Sequence, residues 1–230
     1  MQFTPFSFIA TKPTQVTPAS DGVVTDGLYM DFRQSTYEAG TTNWSNSVSV
    51  SSSISGTFSN VPSVVSSSIS FASTINLTAT YISASEAHSD FTVVVYTKYN
   101  NPANNSTTWE RSSNFRKRWV IGGADRYWII NSSGTDYGID AISGSAYYND
   151  NFFVDTLVGS GSNFKQYQNN VLNADVAATT ANVNWATNGG SGSFYLETNP
   201  SFVKRILVYN RALTSDEVTT NYNALTGSNN

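Results

Sequence analysis

From Gly27 onward, apolar residues tend to recur at every second position. Between Ser47 and Phe58, the residues Val48, Val50, Ile54 and Phe58 share one parity, with small residues between them. A strand with one buried face requires that spacing, because successive side chains point to opposite sides of a sheet. Ile69, Phe71, Ile75, Leu77 and Tyr81 continue on the other parity, and Phe91, Val93, Val95 and Tyr99 do so again. Gly, Asn, Pro and Ser interrupt these runs roughly every 8–12 residues, which predicts an antiparallel β-sandwich rather than a parallel α/β sheet. The stretches YNNPANNSTT and NWATNGGSGS have loop composition, and no repeat of fixed period points to a solenoid or propeller.

Near the C-terminus the period changes. Phe202 to Tyr209 is β-branched and aromatic at strand length, and Leu213-Thr214-Ser215-Asp216-Glu217-Val218 follows almost at once. Thr214 can cap the first free amides, while Glu217 reaches back to the cap's own amide, a capping box. Leu213 and Val218 are spaced as a hydrophobic staple, and Asp216 and Glu217 favour the positive end of a helix dipole. Val218, Tyr222 and Leu225 then form one apolar stripe before Gly227 offers a stop. These signals predict a short helix from about Ser215 to Leu225, packed on a sheet and covering an edge or end of the sandwich.

Composition narrows the class. The chain has 230 residues, 39% of them hydrophobic and 13% aromatic, enough to bury one large core. Only 12% are charged, about half the usual share, so hydroxyl and amide groups must supply the polar exterior. A net charge of -4 argues against general nucleic-acid binding, and the cluster of Arg111, Arg116, Lys117 and Arg118 reads as one solvated strand and loop. No apolar run approaches the roughly 18 residues that span a bilayer, and no leader of signal-peptide form is recognised. Residues 1–22 carry Pro5, Pro13 and Pro18 and predict an extended arm, with residues 23–230 forming one domain. Phe3, Phe6, Phe8 and Ile9 give that arm apolar contacts with which to fasten onto neighbouring chains, in a homo-oligomer or symmetric assembly.

The segment FVKRILVYNRALTSDEVTTNYNAL resembles the close of laminin-G-like, concanavalin A-like jelly-roll domains, in which a last strand ending in Tyr-Asn-Arg-Ala-Leu runs into a short helix. The match lies on Tyr209-Asn210-Arg211-Ala212-Leu213 and on Glu217. DGLYMDF, with STYEAGTTNWSNSV after it, resembles the opening strand and the Tyr and Trp turn of family members often found in bacteriophage virion proteins. FTVVVYTKY is similar to the family's central strand, and NFKQYQNNVLNADV to its strand hairpin. The resemblance covers about residues 26–225 and implies an all-β antiparallel jelly roll with a short C-terminal helix. Ser201, Val203 and Lys204 depart from the family's usual Gly-x-Ile-Asp, and Asn170 stands where the hairpin glycine is usual, so no metal or ligand role is carried over.

Catalytic chemistry has little to work with. The chain has no cysteine and one histidine, His88, so any triad must run through Glu86, His88 and Asp90, whose default reading is a solvated loop. The Gly-x-Ser-x-Gly elbow and the phosphate loop are absent, as are the paired carboxylates of the glucanases of this fold. Asp136 with Asp140, or Asp150 with Asp155, could donate loop oxygens to calcium, although each pair alone is too few. Otherwise no cofactor is implied. Arg211 reads as a structural partner of a carboxylate or of helix carbonyls rather than as a ligand contact.

Binding is better supplied. Sugar rings stack on aromatic faces while amides and carboxylates take the hydroxyls, and Trp109 beside Arg111, with Tyr147 and Tyr148 beside Asp150, offers that combination. The sequence reading is therefore a non-catalytic virion protein displayed on a phage particle, as capsid decoration or a tail component, anchored by its arm to other virion proteins. The alternative is a lectin-like adhesin for cell-surface polysaccharide, and a glycoside hydrolase or lyase is the weakest reading.

Overall fold

The computed structural model describes residues 21–48, 55–71, 77–80, 90–99, 107–112, 115–120, 124–130, 136–143, 151–161, 163–177, 193–196 and 201–227. Along the chain the strands are Leu28–Tyr37 (β1), Asn43–Asn46 (β2), Ser55–Phe58 (β3), Ser63–Val65 (β4), Ser68–Phe71 (β5), Leu77–Thr80 (β6), Phe91–Tyr99 (β7) and Thr107–Ser112 (β8). They continue as Phe115–Val120 (β9), Ala124–Ile130 (β10), Asp136–Ser143 (β11), Phe153–Ser160 (β12), Asn163–Gln168 (β13), Val171–Ala177 (β14), Ser193–Leu196 (β15) and Ser201–Tyr209 (β16). The helix α1, Ser215–Thr226, closes the described chain.

The fold is an antiparallel β-sandwich with one short C-terminal helix among the described residues. Hydrogen-bonded neighbours run β11-β10-β9-β8-β15-β6-β3-β2-β1-β16-β7-β12-β13-β14, with the β4–β5 hairpin joining through β5 to β16. The two ends of that path, β11 and β14, come back to lie beside each other, so the ribbon of strands folds onto itself.

Register fixes which residues share a face. Val208 pairs with Met30 and Val93, Ile206 with Phe32 and Val95, and Val93 with Leu157. All seven are buried and make one side of the central strands. Their in-between neighbours Leu207, Val94, Tyr209 and Val158 make the other side, and there α1 packs through Val218, Tyr222 and Leu225. The helix thus lies on a face of the sheet, not at an edge or end, and β7 is buried on both sides. Thr92 and Thr97 are buried as well and satisfy their hydroxyls on backbone carbonyls, those of Arg211 and Phe202 at 3.0 Å.

The run from Ser47 to Phe58 is not one described strand. Val48 follows β2 and is buried with the helix-side cluster, whereas Phe58 ends β3 and packs beside Trp44, its ring 5.8 Å away and nearly parallel. Phe32 lies 5.3 Å from Trp44, and Tyr37 meets Phe58 edge-on at 5.5 Å. Trp44, fully buried, donates its indole N–H to the Arg33 carbonyl at 2.6 Å. The Tyr and Trp positions of the expected opening turn thereby form an aromatic core.

The helix signals act as the sequence predicts. Thr214 Oγ1 accepts from the Glu217 amide at 3.3 Å, and Glu217 Oε2 accepts from the Thr214 amide at 2.9 Å. Gly227 ends the helix with φ at 71°, a left-handed conformation that glycine adopts without strain. A polar pin also ties helix to sheet. Buried Asn221 donates to the Tyr209 hydroxyl at 3.0 Å and accepts from the Val24 amide at 2.9 Å, while Tyr209 donates to the Val24 carbonyl at 3.0 Å. Burial raises the Tyr209 phenol well above its ordinary value, which keeps it a donor.

The arm expected over residues 1–22 overlaps the described chain at its last two positions. Asp21 is ion-paired to Arg33 and Arg205, so it already belongs to the sandwich. Phe3, Phe6, Phe8 and Ile9 lie outside the described residues.

Candidate functional site

The helix start and the β12–β13 hairpin enclose a cleft of about 350 Å³ on the helix-bearing face. Parity explains its lining. Val158 and Ser160 on β12 share a face with Asn163, Lys165 and Tyr167 on β13, since Val158 pairs with Lys165 and Ser160 with Asn163. Ala212, Leu213, Thr214 and Ser215 close the opposite wall. Val158, Tyr167 and Leu213 are buried and make an apolar floor, while Ser160, Asn163, Lys165, Thr214 and Ser215 bring hydroxyl, amide and ammonium groups to the rim.

The wall carrying the helix start is rigidly held. The Leu213 amide donates to Thr92 Oγ1, and that hydroxyl donates to the Arg211 carbonyl, both at 3.0 Å. Arg211 grips Glu217 with two bonds of 2.9 and 2.6 Å and reaches Asp26 at 3.1 Å. The hydrogen bond from Arg211 holds the Glu217 carboxyl down to about 2, and the same pairing raises the Arg211 guanidinium. Arg211 is therefore the structural partner of a carboxylate, as the sequence predicts.

On the other wall Lys165 meets Asp175 at 3.5 Å, a half-exposed pair that solvent screens. The hairpin itself turns on Asn169 and Asn170, with φ at 47° and 65°, the two positive angles of a two-residue turn. Asn takes the place of the usual glycine there because it tolerates the left-handed region. Asn169 Oδ1 accepts from the Val154 amide at 3.0 Å and Asn170 Oδ1 from the Thr219 hydroxyl at 2.9 Å, so the turn is tied to β12 and to α1.

Trp109 and Arg111 lie on β8, paired with β9, while Tyr147, Tyr148, Asp150, Glu86 and His88 lie outside the described residues. Asp90 is structural: its carboxylate accepts from the Gly161 amide at 2.8 Å across the sheet end. Asp136 and Asp140 belong to strand β11 rather than to a loop, which separates them by about 13 Å of extended chain, and Asp155 is buried within β12. No group of three or more potential metal-ligating side chains converges among the described residues.

Neither a family model nor a curated protein sequence matches the chain. Solved structures do. The serotype D botulinum neurotoxin binding domain superposes with a TM-score of 0.69 at 10% identity, over 87% of this chain and 51% of that one. The receptor binding domain of the C/D mosaic serotype gives 0.67 at 10% identity, over 86% and 51%. The binding domain of botulinum neurotoxin DC, in complex with SialylT, gives 0.66 at 10% identity, over 87% and 51%. The likeness is one of fold. This chain spans about half the length of the structures it matches.

The cleft residues Ser160, Asn163 and Lys165 carry no signal of their own in the sequence. Their alternation was legible, but their meeting with Thr214 and Ser215 depends on the helix returning over β12 and β13, a contact between distant parts of the chain.

Proposed function

We propose that the protein is a non-catalytic glycan-recognition module, a lectin-like adhesin domain for cell-surface polysaccharide. The observation that carries this reading is the cleft at the helix start. An apolar floor of Val158, Tyr167 and Leu213 suits the C–H face of a pyranose, and the hydroxyl, amide and ammonium groups above it suit sugar hydroxyls. Its size is that of a small-molecule pocket. The fold neighbours lend support, since one is a receptor binding domain and another was solved with SialylT.

A glycan array tests the reading, with Asn163→Ala and Lys165→Ala in the cleft and Trp109→Ala and Tyr148→Ala as the sequence-derived comparison. Selective binding that the cleft variants abolish, at unchanged melting temperature, supports it. An array with no signal above background overturns it.

The setting we propose is the surface of a virion, on the strength of the low charge, the Ser/Thr/Asn-rich composition and the resemblance to phage-associated jelly rolls. A deletion of residues 1–20, which spares the ion-paired Asp21, should prevent incorporation into particles while the sandwich still folds. Unchanged incorporation would discard the anchoring role.

A further inference from the structure

Beside the later turns of α1, the helix-bearing face carries a second cluster unlike the cleft. Lys204 Nζ stands 4.2 Å from the ring centre of Phe152 and 5.0 Å from that of Tyr96. Those two rings meet edge to face at 5.6 Å. Next to them Lys98 Nζ lies 5.5 Å from the Phe202 ring, its register partner across β7 and β16. All five side chains are half-buried, so rings and ammoniums both reach the surface.

A β-bulge builds this cluster. Val203 pairs with Thr97 and Arg205 with Tyr96, so one extra residue, Lys204, is inserted between them in β16. Val203, Arg205 and Ile206 all remain buried, while Lys204 reaches the surface half-exposed. Arg205 is engaged by Asp31 and Asp21. Lys204 is not so engaged: among the described residues no carboxylate comes within 4.0 Å of it, in a chain whose acids outnumber its bases by 16 to 12. Ring faces hold its ammonium, which stays half-exposed and keeps its charge uncompensated by those carboxylates.

We propose that Lys98, Lys204, Tyr96, Phe152 and Phe202 form a second subsite, which takes a carboxylate-bearing sugar of an acidic polysaccharide. The proposal rests on the glycan-recognition reading and sharpens it from sugar in general to acidic sugar. The Lys204 ammonium meets the carboxylate, and the aromatic edges meet the C–H face of the ring. A saccharide chain rather than a nucleic acid fits the net charge of -4, because two lysines provide too little counterion release to hold a phosphate backbone.

The test uses the full chain with four probes: polygalacturonate, polysialic acid, neutral dextran and a single-stranded DNA oligonucleotide, each at low and high salt. Preference for the acidic polysaccharides, weakened by salt and reduced about tenfold by Lys204→Gln with recovery in Lys204→Arg, is the expected result. Phe152→Leu, which removes a ring but keeps the volume apolar, should lower acidic binding without changing the melting temperature. The proposal is overturned if Lys204→Gln leaves acidic binding intact, if it weakens dextran binding equally, or if the oligonucleotide binds more tightly than the polysaccharides. Binding to neutral glycans alone, abolished by Asn163→Ala, would sink this subsite and leave the general glycan reading standing. Loss of every polysaccharide signal would sink both.

Discussion

Arg205 and Asp31 are joined across β16 and β1 by two parallel bonds of 2.8 Å, Nε to Oδ1 and Nη2 to Oδ2. Arg33 adds a 2.7 Å bond to the same carboxylate and also pairs with Asp21, which bonds Arg205 in turn. Two cations and two anions therefore close into a neutral ring beside the helix. Asp31 is fully buried, so its charge depends on this ring for compensation.

Asp31→Asn should cost about 3–5 kcal/mol, since it leaves two guanidiniums partly desolvated with one carboxylate between them. Asp31→Leu combined with Arg205→Met should cost less than the sum of the single changes. Urea denaturation of the four proteins checks this, and strict additivity would show that the pair is not coupled. Asp21 adds a pH term. Burial alone would raise its carboxyl, but the bond and charge of Arg205, with Arg33, more than offset that and leave it below its ordinary 3.8. A depressed carboxyl stabilises the fold above its unfolded value and loses that contribution as pH falls below it.

Glu217 predicts a second acid-sensitive step. Its folded value of about 2 lies below the ordinary 4.5, so the contribution is complete above about pH 4.5 and fades between there and pH 2. Glu217→Gln should flatten the stability profile in that window, and at neutral pH should cost about 1 kcal/mol through the weakened cap and ion pair. Thermal melts from pH 2 to 7 would read both effects, and parallel profiles for the two proteins would refute the assignment.

The helix and its partners were the most legible part of the fold because their signals are local. Thr214, Glu217 and Gly227 act on amides and carbonyls within one turn, and Arg211 needs only a carboxylate six positions on. Strand order was not legible, since β16 lies between β1 and β7 through pairings that sequence spacing does not encode. The buried threonines of β7 also escape a period-two reading. Thr92, on the parity opposite to Val93 and Val95, looks like a solvent-facing position, and the helix layer above it reverses that expectation, while Thr97 is a polar residue on the core-side parity. Lys204 was hidden for a related reason: a bulge breaks the alternation from which facing is inferred.

Ser66 and Ser67 predict where stability can be gained. The β4–β5 hairpin turns on them with φ at 47° and 60°, a left-handed pair like Asn169 and Asn170 in the β13–β14 hairpin. Serine is more strained in that conformation than Asn or Gly is. Ser66→Asn with Ser67→Gly should therefore raise stability by about 1 kcal/mol, measured as a shifted urea midpoint at constant slope. An unchanged or lower midpoint would mean that the Ser68 hydroxyl, which donates to the Val65 carbonyl at 2.6 Å, already relieves the turn.

Gly159 predicts a site where one methyl group is too many. It pairs with Phe91 on the neighbouring strand, and a Cβ there would overlap the Phe91 ring, with Cζ at 2.7 Å. The ring cannot swing away freely, because it is buried and its other side lies against Phe164, with centroids 6.3 Å apart. Gly159→Ala should cost about 1–3 kcal/mol by overpacking. Adding Phe91→Leu removes the obstructing edge, so the double variant should be more stable than the cost of the two single changes combined would allow. Calorimetric melts of the four proteins measure that coupling, and simple additivity would show that the glycine serves the backbone rather than the ring.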